Sequence, residues 1–395
     1  MPCFPRDRTQ LATGLRRLLA GTACLAALLA ARAELPAETI TMARLPPVDR
    51  YRIYLSDPAM GHLVDGRAHV IDGSSMRYLG LLGTGFAGAT AQSRDGQTLF
   101  VATTFHSRLV RGTRTDVVEV YSAEDLVFSH EIEIPTKRVQ GLPMRALLAT
   151  TVDDRLLLVQ NATPATSVTV VDLAARRTLV EIPTPGCYGV IPWPRQPRRF
   201  SSVCGDGTLA TYDIGEAGAP VTTTVSAAFF DADQDPVFMH YELVGDQLTL
   251  LSYHGNVYQI DLGGAQAVAA APWSLLDAEA RRRHWRPGGY QLFAIEPRSG
   301  RLYVAMHSGG AEGTHKNPAQ EIWTIDLAQR KRIARMPGRT AVALDIARTE
   351  TPRLFLLSAA DNRIVSFDVG GARPPARPLA RSEPLGETPI YLGLR

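Results

Sequence analysis

The sequence predicts an all-β fold, a seven-bladed β-propeller, and three observations carry that expectation. A short strand ending in a turn-forming polar residue recurs seven times: AHVID to Asp72, VEVYS to Ser122, VTVVD to Asp172, ATYD to Asp213, VYQID to Asp261, IWTID to Asp326 and IVSFD to Asp368. The intervals between those end points are 50, 50, 41, 48, 65 and 42 residues, the range in which several short strands make one repeating unit. Further strand-like runs lie between them, among them TLFVATT, RLLLVQN, QLTLLSY, RLYVAMH and RLFLLSA, many preceded by a turn pair such as Asp95-Gly96, Gly245-Asp246 or Ser299-Gly300. Finally, RIYLSD (Arg52 to Asp57) and TPIYLGL near the C-terminus are placed to share one closing blade. A lone blade has two apolar faces and cannot be stable; a ring of blades buries both.

The chain has 395 residues with 42 basic and 39 acidic side chains, and an excess of +3 gives no reason to expect nucleic acid or an anionic membrane as partner. At the N-terminus, Arg16-Arg17 precede the apolar run LLAGTACLAALLA, and Ala31-Arg32-Ala33 comes next with small residues at a cleavage position. That run is short for a membrane span and matches the core of an export signal. Residues 1–33 are therefore expected to be a signal peptide and 34–395 the propeller, at about 52 residues per blade. The arginine pair leaves Sec and Tat export both open. Outside the cytoplasm the remaining cysteines, Cys187 and Cys204, are expected to form a disulfide across two strands joined by a proline-rich turn, worth about 3 kcal/mol for a loop of this size.

The stretch LGLLGTGFAGAT contains Gly83-Thr84-Gly85-Phe86-Ala87-Gly88, a literal G-x-G-x-x-G. A dinucleotide cradle needs a helix opening on the last glycine. The chain runs on instead into the turn pair Asp95-Gly96 and the strand Leu99-Phe100-Val101, so a turn between strands is expected. The widest interval holds APWSLLDAEARRRHWRPGGY, read as a short helix with a capping box of Ser274 and Asp277 and a solvated Arg281–Arg283 run. No serine-hydrolase elbow, H-E-x-x-H or EF-hand loop is present. His307 and His315, in HSGGAEGTHKNP, are read as loop residues before metal ligands, and Asp231, Asp233 and Asp235 as a solvated turn before a calcium site. On the residues alone this is an exported scaffold without chemistry of its own: no catalytic residue and no metal site are assigned.

Several longer stretches go further: SRLVRGTRTDVVEVYSAEDL, KRVQGL, VQNATPATSVTVVD, GCYGVIPWPRQPRRFSSVCGDG, APWSLLDAEARRRHWRPGGYQL, and HSGGAEGTHKNPAQEIWTID with ARMPGR after it. In these, spread from about Tyr51 to Arg339, the chain resembles the heavy (large) subunit of quinoprotein amine dehydrogenases, most closely that of aromatic amine dehydrogenase. The resemblance implies a periplasmic heterotetramer of two heavy and two light subunits, with the heavy subunit a seven-bladed propeller that holds no cofactor. The light subunit carries tryptophan tryptophylquinone and the aspartate that acts as base. A primary amine, aromatic in the most similar group, is deaminated oxidatively to aldehyde and ammonia, and electrons leave to a blue-copper protein of azurin or amicyanin type. The family's matching loop carries a phenylalanine that walls the substrate channel, here Phe86. A polar residue is expected after it, where this chain has Ala87 and Gly88. Cys187 and Cys204 match the family's disulfide. The competing reading is a free-standing periplasmic propeller that binds a ligand or protein without redox activity.

Overall fold

Each of the seven repeat strands forms and stops at its turn residue: Gly66–Asp72, Arg114–Ser122, Ser167–Asp172, Leu209–Asp213, Asn256–Asp261, Ala319–Asp326 and Ile364–Asp368. The computed structural model, which describes residues 44–216, 222–371 and 377–394, shows why they stop there. Aspartate accepts a hydrogen bond from the backbone N–H two or three residues on, which turns the chain. Asp72 does so from Ser74 (2.8 Å), Asp172 from Ala175 (2.8 Å), Asp261 from Gly263 (2.8 Å), Asp326 from Gln329 (2.8 Å) and Asp368 from Gly370 (2.9 Å).

Every repeat strand pairs antiparallel with the strand before it, for example Thr98–His106 with Arg114–Ser122 and Leu156–Asn161 with Ser167–Asp172. Among the described residues these hairpins lie in six antiparallel sheets: four of four strands, one of five and one of eight. The eight-stranded sheet contains two of the hairpins, joined through the strand Lys331–Ala347, whose register against its neighbours slips on either side of Pro337-Gly338. The fold is an all-β propeller. Leu45–Arg395 form one compact unit.

Alternate residues of a strand serve different neighbours. Leu157 and Val159 pack with Phe100 and Val118 of the preceding sheet, while Leu156 and Leu158 pack with Val190 and Phe200 of the following one. Such interleaved clusters link sheet to sheet, and Ile53, Leu55 and Ile71 close the circuit against Phe355, Leu357 and Ile364. Middle strands such as Leu156–Asn161 are buried throughout, whereas Thr222–Val225, at the outer edge of its sheet, is exposed throughout. Cys187 and Cys204 stand opposite each other in neighbouring strands, 3.9 Å apart at Cα, and form the expected disulfide.

The C-terminal strand Tyr391–Gly393 pairs with Arg52–Asp57, as the two runs suggested. Three buried side chains hold that closure. Asp57 accepts from the backbone N–H groups of Ala59, Glu387 and Thr388 at 2.6 to 3.0 Å. Gln291 donates to the Leu392 carbonyl (2.9 Å) and accepts from the Leu392 N–H (2.7 Å). Asp345 accepts from the Leu394 N–H at 3.4 Å. Burial acts to raise the pKa of Asp57, but the His69 contact and these N–H groups outweigh it and hold the carboxyl far below its usual range.

One local expectation is corrected. The helix of the wide interval runs Ala278–Arg282 and its cap is Asp277, which accepts from the Ala280 N–H (2.8 Å); Ser274 instead bonds the Leu276 N–H (3.2 Å) and belongs to the preceding turn. The capping box fails because the chain at Ser274 is still in a strand pairing with Asn256. The expected signal peptide, residues 1–33, lies outside the described residues.

Gln291→Ala leaves the buried N–H and carbonyl of Leu392 without partners. The unfolding free energy is expected to fall by about 2 to 4 kcal/mol, read from urea denaturation monitored by tryptophan fluorescence.

Candidate functional site

The G-x-G-x-x-G stretch is the turn between two sheets. The strand Arg77–Gly85 ends at its second glycine, and Ala89–Gln92 opens the next sheet, with no helix between them. Gly85 and Ala87 adopt left-handed backbone (φ 57° and 48°). A Cβ on Gly88 would stand 2.1 Å from the Thr84 carbonyl, so only glycine fits there. Ala87 is buried, and Phe86 is half-exposed with its ring edge-on to His106, centroids 5.9 Å apart.

Arg138 holds this turn from beneath. It is 2% exposed and donates to the carbonyls of Phe86 and Ala87, both at 2.8 Å, and to Thr104 Oγ1 at 2.9 Å. Asp116 organises the group: it accepts from Arg114 at 2.8 and 2.7 Å, from Thr104 Oγ1 at 2.7 Å and from the Arg138 N–H at 3.0 Å. Burial lowers the Arg138 pKa to about 10, Asp116 opposing, so the guanidinium stays charged at neutral pH. The sequence pattern missed this support because Arg138 lies 52 residues from Phe86.

A second constellation occupies the axis. Arg145 opens the short 3-10 turn Arg145–Leu147, which packs against strands Ala89–Gln92, Cys187–Pro192 and Val237–Val244. Its guanidinium lies 3.3 Å from Glu242 and 3.9 Å from Asp345, and Arg348 pairs with Glu242 from the other side. His240 Nε2–H donates to the Phe293 carbonyl at 2.8 Å. Burial depresses the His240 pKa to about 4, so this ring is neutral at pH 7. Burial acts against a charged Glu242, but Arg145 and Arg348 outweigh it and keep the carboxyl ionised. Asp345 is left second in line: burial raises its pKa to about 6, against the pull of Arg145.

Above this network lies a cavity of about 260 Å³. Arg94, Arg145 and Arg348 line it together with Leu99, Leu148 and Tyr391. It runs along the inner strand that follows the Phe86 turn, from Thr90 to Gln92, and on to Ser93 and Arg94 beyond it; no residue from Gly83 to Gly88 lines it.

The other candidates have structural work. His307 bonds Thr314 Oγ1 through Nε2 (3.1 Å), and His315 stacks on Tyr253 at 4.8 Å. Asp231 bonds the N–H groups of Asp233 and Gln234 in its own turn, while Asp235 accepts from the His254 N–H and from Asn256. No group of metal-ligating side chains is found among the described residues. Trp193 and Trp323 are fully buried core residues whose indole N–H groups bond Ser201 and Glu321. The chain thus presents a braced aromatic turn at one end of a propeller and, on its axis, a charge network whose acids are buried and whose arginines line a cavity.

Comparison with known proteins agrees. Residues 49–390 match the family model "Methylamine dehydrogenase heavy chain (MADH)", and the chain belongs to that family of quinoprotein amine dehydrogenase heavy subunits. It is 30% identical to the methylamine dehydrogenase heavy chain of Paracoccus versutus over 82% of this chain and 75% of that one. It is 28% identical to that of Methylobacillus flagellatus over 84% of this chain and 82% of that one. Among solved structures, a putative 6-phosphogluconolactonase from Bacteroides fragilis superposes with a TM-score of 0.62 at 12% identity, covering 89% of this chain and 99% of that one, a likeness of fold.

Two outcomes are expected here. Arg138→Met removes the charge that holds the Phe86 turn and should cost about 3 kcal/mol, with new cleavage at the turn in limited proteolysis. Asp345 binds its proton more tightly folded (about 6) than in the free side chain (3.8), so it withdraws stability as pH rises from about 4 to about 6. Urea unfolding across that window should show the decline in the wild type relative to Asp345→Asn.

Proposed function

We propose that this chain is the heavy subunit of a periplasmic tryptophan tryptophylquinone amine dehydrogenase, assembled as two heavy and two light chains. The proposal takes the ring as seven-bladed, the eight-stranded sheet counting as two blades; the seven hairpins support that count. The disulfide supports export to an oxidising compartment. The observation that carries the reading is the Phe86 turn: an aromatic ring, half-exposed, on a backbone that Arg138, Gly85 and Gly88 allow one shape. The quinone of the light subunit, when bound alongside, supplies the electron sink for oxidising a primary amine. This chain's share is to wall the channel, exclude water and keep the amine's carbon near its base.

Exposed apolar side chains at the same end suit a docked light subunit. Phe105, Leu109 and Val110, at or near the tip of the hairpin whose His106 touches Phe86, are 45%, 71% and 60% exposed. Met60 and Leu63, in the loop after Arg52–Asp57, are 51% and 39% exposed. Side chains so placed mark an interaction site. The relatives are named for methylamine, whereas the motifs resemble the aromatic-amine group most, so the proposed substrate is a primary amine, with arylalkyl amines favoured. Ala87 faces inward and Gly88 has no side chain, so the turn adds no polar group beside Phe86. The proposed acceptor is an azurin- or amicyanin-type copper protein.

The purified chain alone should reduce no dye with any amine, and co-expression with the light subunit should restore the reaction; activity of the chain by itself rejects the proposal. In the assembled enzyme, Phe86→Ala should change the ratio of kcat/KM for methylamine and phenethylamine by about tenfold (about 1.4 kcal/mol), with folding and assembly intact.

A further inference from the structure

The axial cavity is the least explained feature of the molecule. No residue of the Phe86 turn lines it, and the amine-oxidising reading gives it no task. Three guanidinium-bearing side chains line it, Arg94, Arg145 and Arg348, and among the described residues no carboxylate side chain does. The two acids that partner the arginines stand behind them: Glu242 and Asp345 have 0% and 2% of their side chains exposed, against 21% for Arg145 and 24% for Arg348. The wall seen by an occupant is therefore positive even though the network behind it is nearly balanced. Arg94 is exposed at the rim, and among the described residues its guanidinium has no acidic partner. The Nε of Arg348 is buried with no hydrogen-bond partner, a donor left open in a group otherwise committed to Glu242.

The remaining walls are mixed: Thr90, Gln92, Ser93, Thr150 and the tyrosines Tyr54, Tyr241 and Tyr391 supply polar groups, and an apolar side faces them. Leu82, Leu99, Phe100 and Leu148 line the same space. Its volume, about 260 Å³, is just below the range of pockets that take drug-sized ligands, so a small molecule fits. A guanidinium fork matches a carboxylate in shape as well as charge. An ammonium group would meet three like charges instead, which excludes the amine substrate. Arg348 and Arg94 also line the adjoining surface hollow, where Arg195 is paired with Asp246, so two of the three cavity arginines face a way in from outside.

We propose that this cavity is a binding site for a small organic anion, a monocarboxylate with a short apolar tail, held by the arginines with its tail against the leucines. The site is separate from the Phe86 turn and needs no light subunit, so it stands or falls apart from the proposed amine chemistry.

Titration calorimetry on the full-length chain tests it, with sodium phenylacetate as probe, phenethylamine as its cationic counterpart and sodium chloride as a simple anion. The expected result is one phenylacetate per chain with a sub-millimolar Kd and no heat from phenethylamine. Arg94→Glu, at the exposed rim, should fold as the wild type does by circular dichroism and weaken phenylacetate by about tenfold or more. Thr150→Phe, which fills the cavity without altering charge, should abolish binding while the thermal midpoint stays near the wild-type value. The proposal is overturned by phenylacetate heats no larger than dilution, by equal binding of phenethylamine, by chloride competing at equal concentration, or by unchanged affinity in both variants.

Discussion

The pairing of Arg145 with Glu242 and Asp345 is the constraint around which the ring is organised. A propeller has a problem at its centre, where inner strands converge and their side chains cannot all be apolar without collapsing the axis or leaving a void. Here a short turn carries one arginine into that space, and its partners come from two other sheets. Gly189, at φ 84°, makes the approach possible, since a Cβ there would press on Ala146 and Met239. A buried ion pair adds little net stability compared with apolar packing, but removing one partner is severe. Its value is therefore in geometry: sheets that share one guanidinium cannot slide independently.

The perimeter of the fold was legible and its hub was not. Repeat strands announce themselves because the turn chemistry is local: Asp72, Asp172, Asp261, Asp326 and Asp368 each bond a backbone N–H within three residues. Cys187 and Cys204 were legible for a similar reason, as neighbours across one hairpin. Arg145, Glu242 and Asp345 are about a hundred residues apart in succession, and pairing at that distance leaves no periodic trace. The one signal in the sequence was a carboxylate inside an otherwise apolar strand run, HYELV and ALDIA. In a half-exposed sheet such a residue reads as solvent-facing; in the innermost strand of a ring it faces the axis.

The Phe86 turn was half legible. The hairpin signal at Asp95-Gly96 left no room for a helix after Gly88, and a strand stands there as expected. The rigidity of the turn could not be read, because it comes from Arg138 and Asp116, each in another part of the chain. The same bonds account for the small residues after Phe86: Ala87 points inward and Gly88 has no room for a Cβ, so a polar side chain here would have to be accommodated by rebuilding the turn.

The pairing of Tyr391–Gly393 with Arg52–Asp57 has a consequence for biogenesis. Nearly the whole polypeptide must emerge before the circle can be completed, and contacts of such high order form slowly. Until then Arg52–Asp57 keeps one edge of backbone donors and acceptors open, the kind of edge that recruits stray strands. The circle thus stays open until Tyr391–Gly393 is made, and the strand that completes it is also the lock that ends this state.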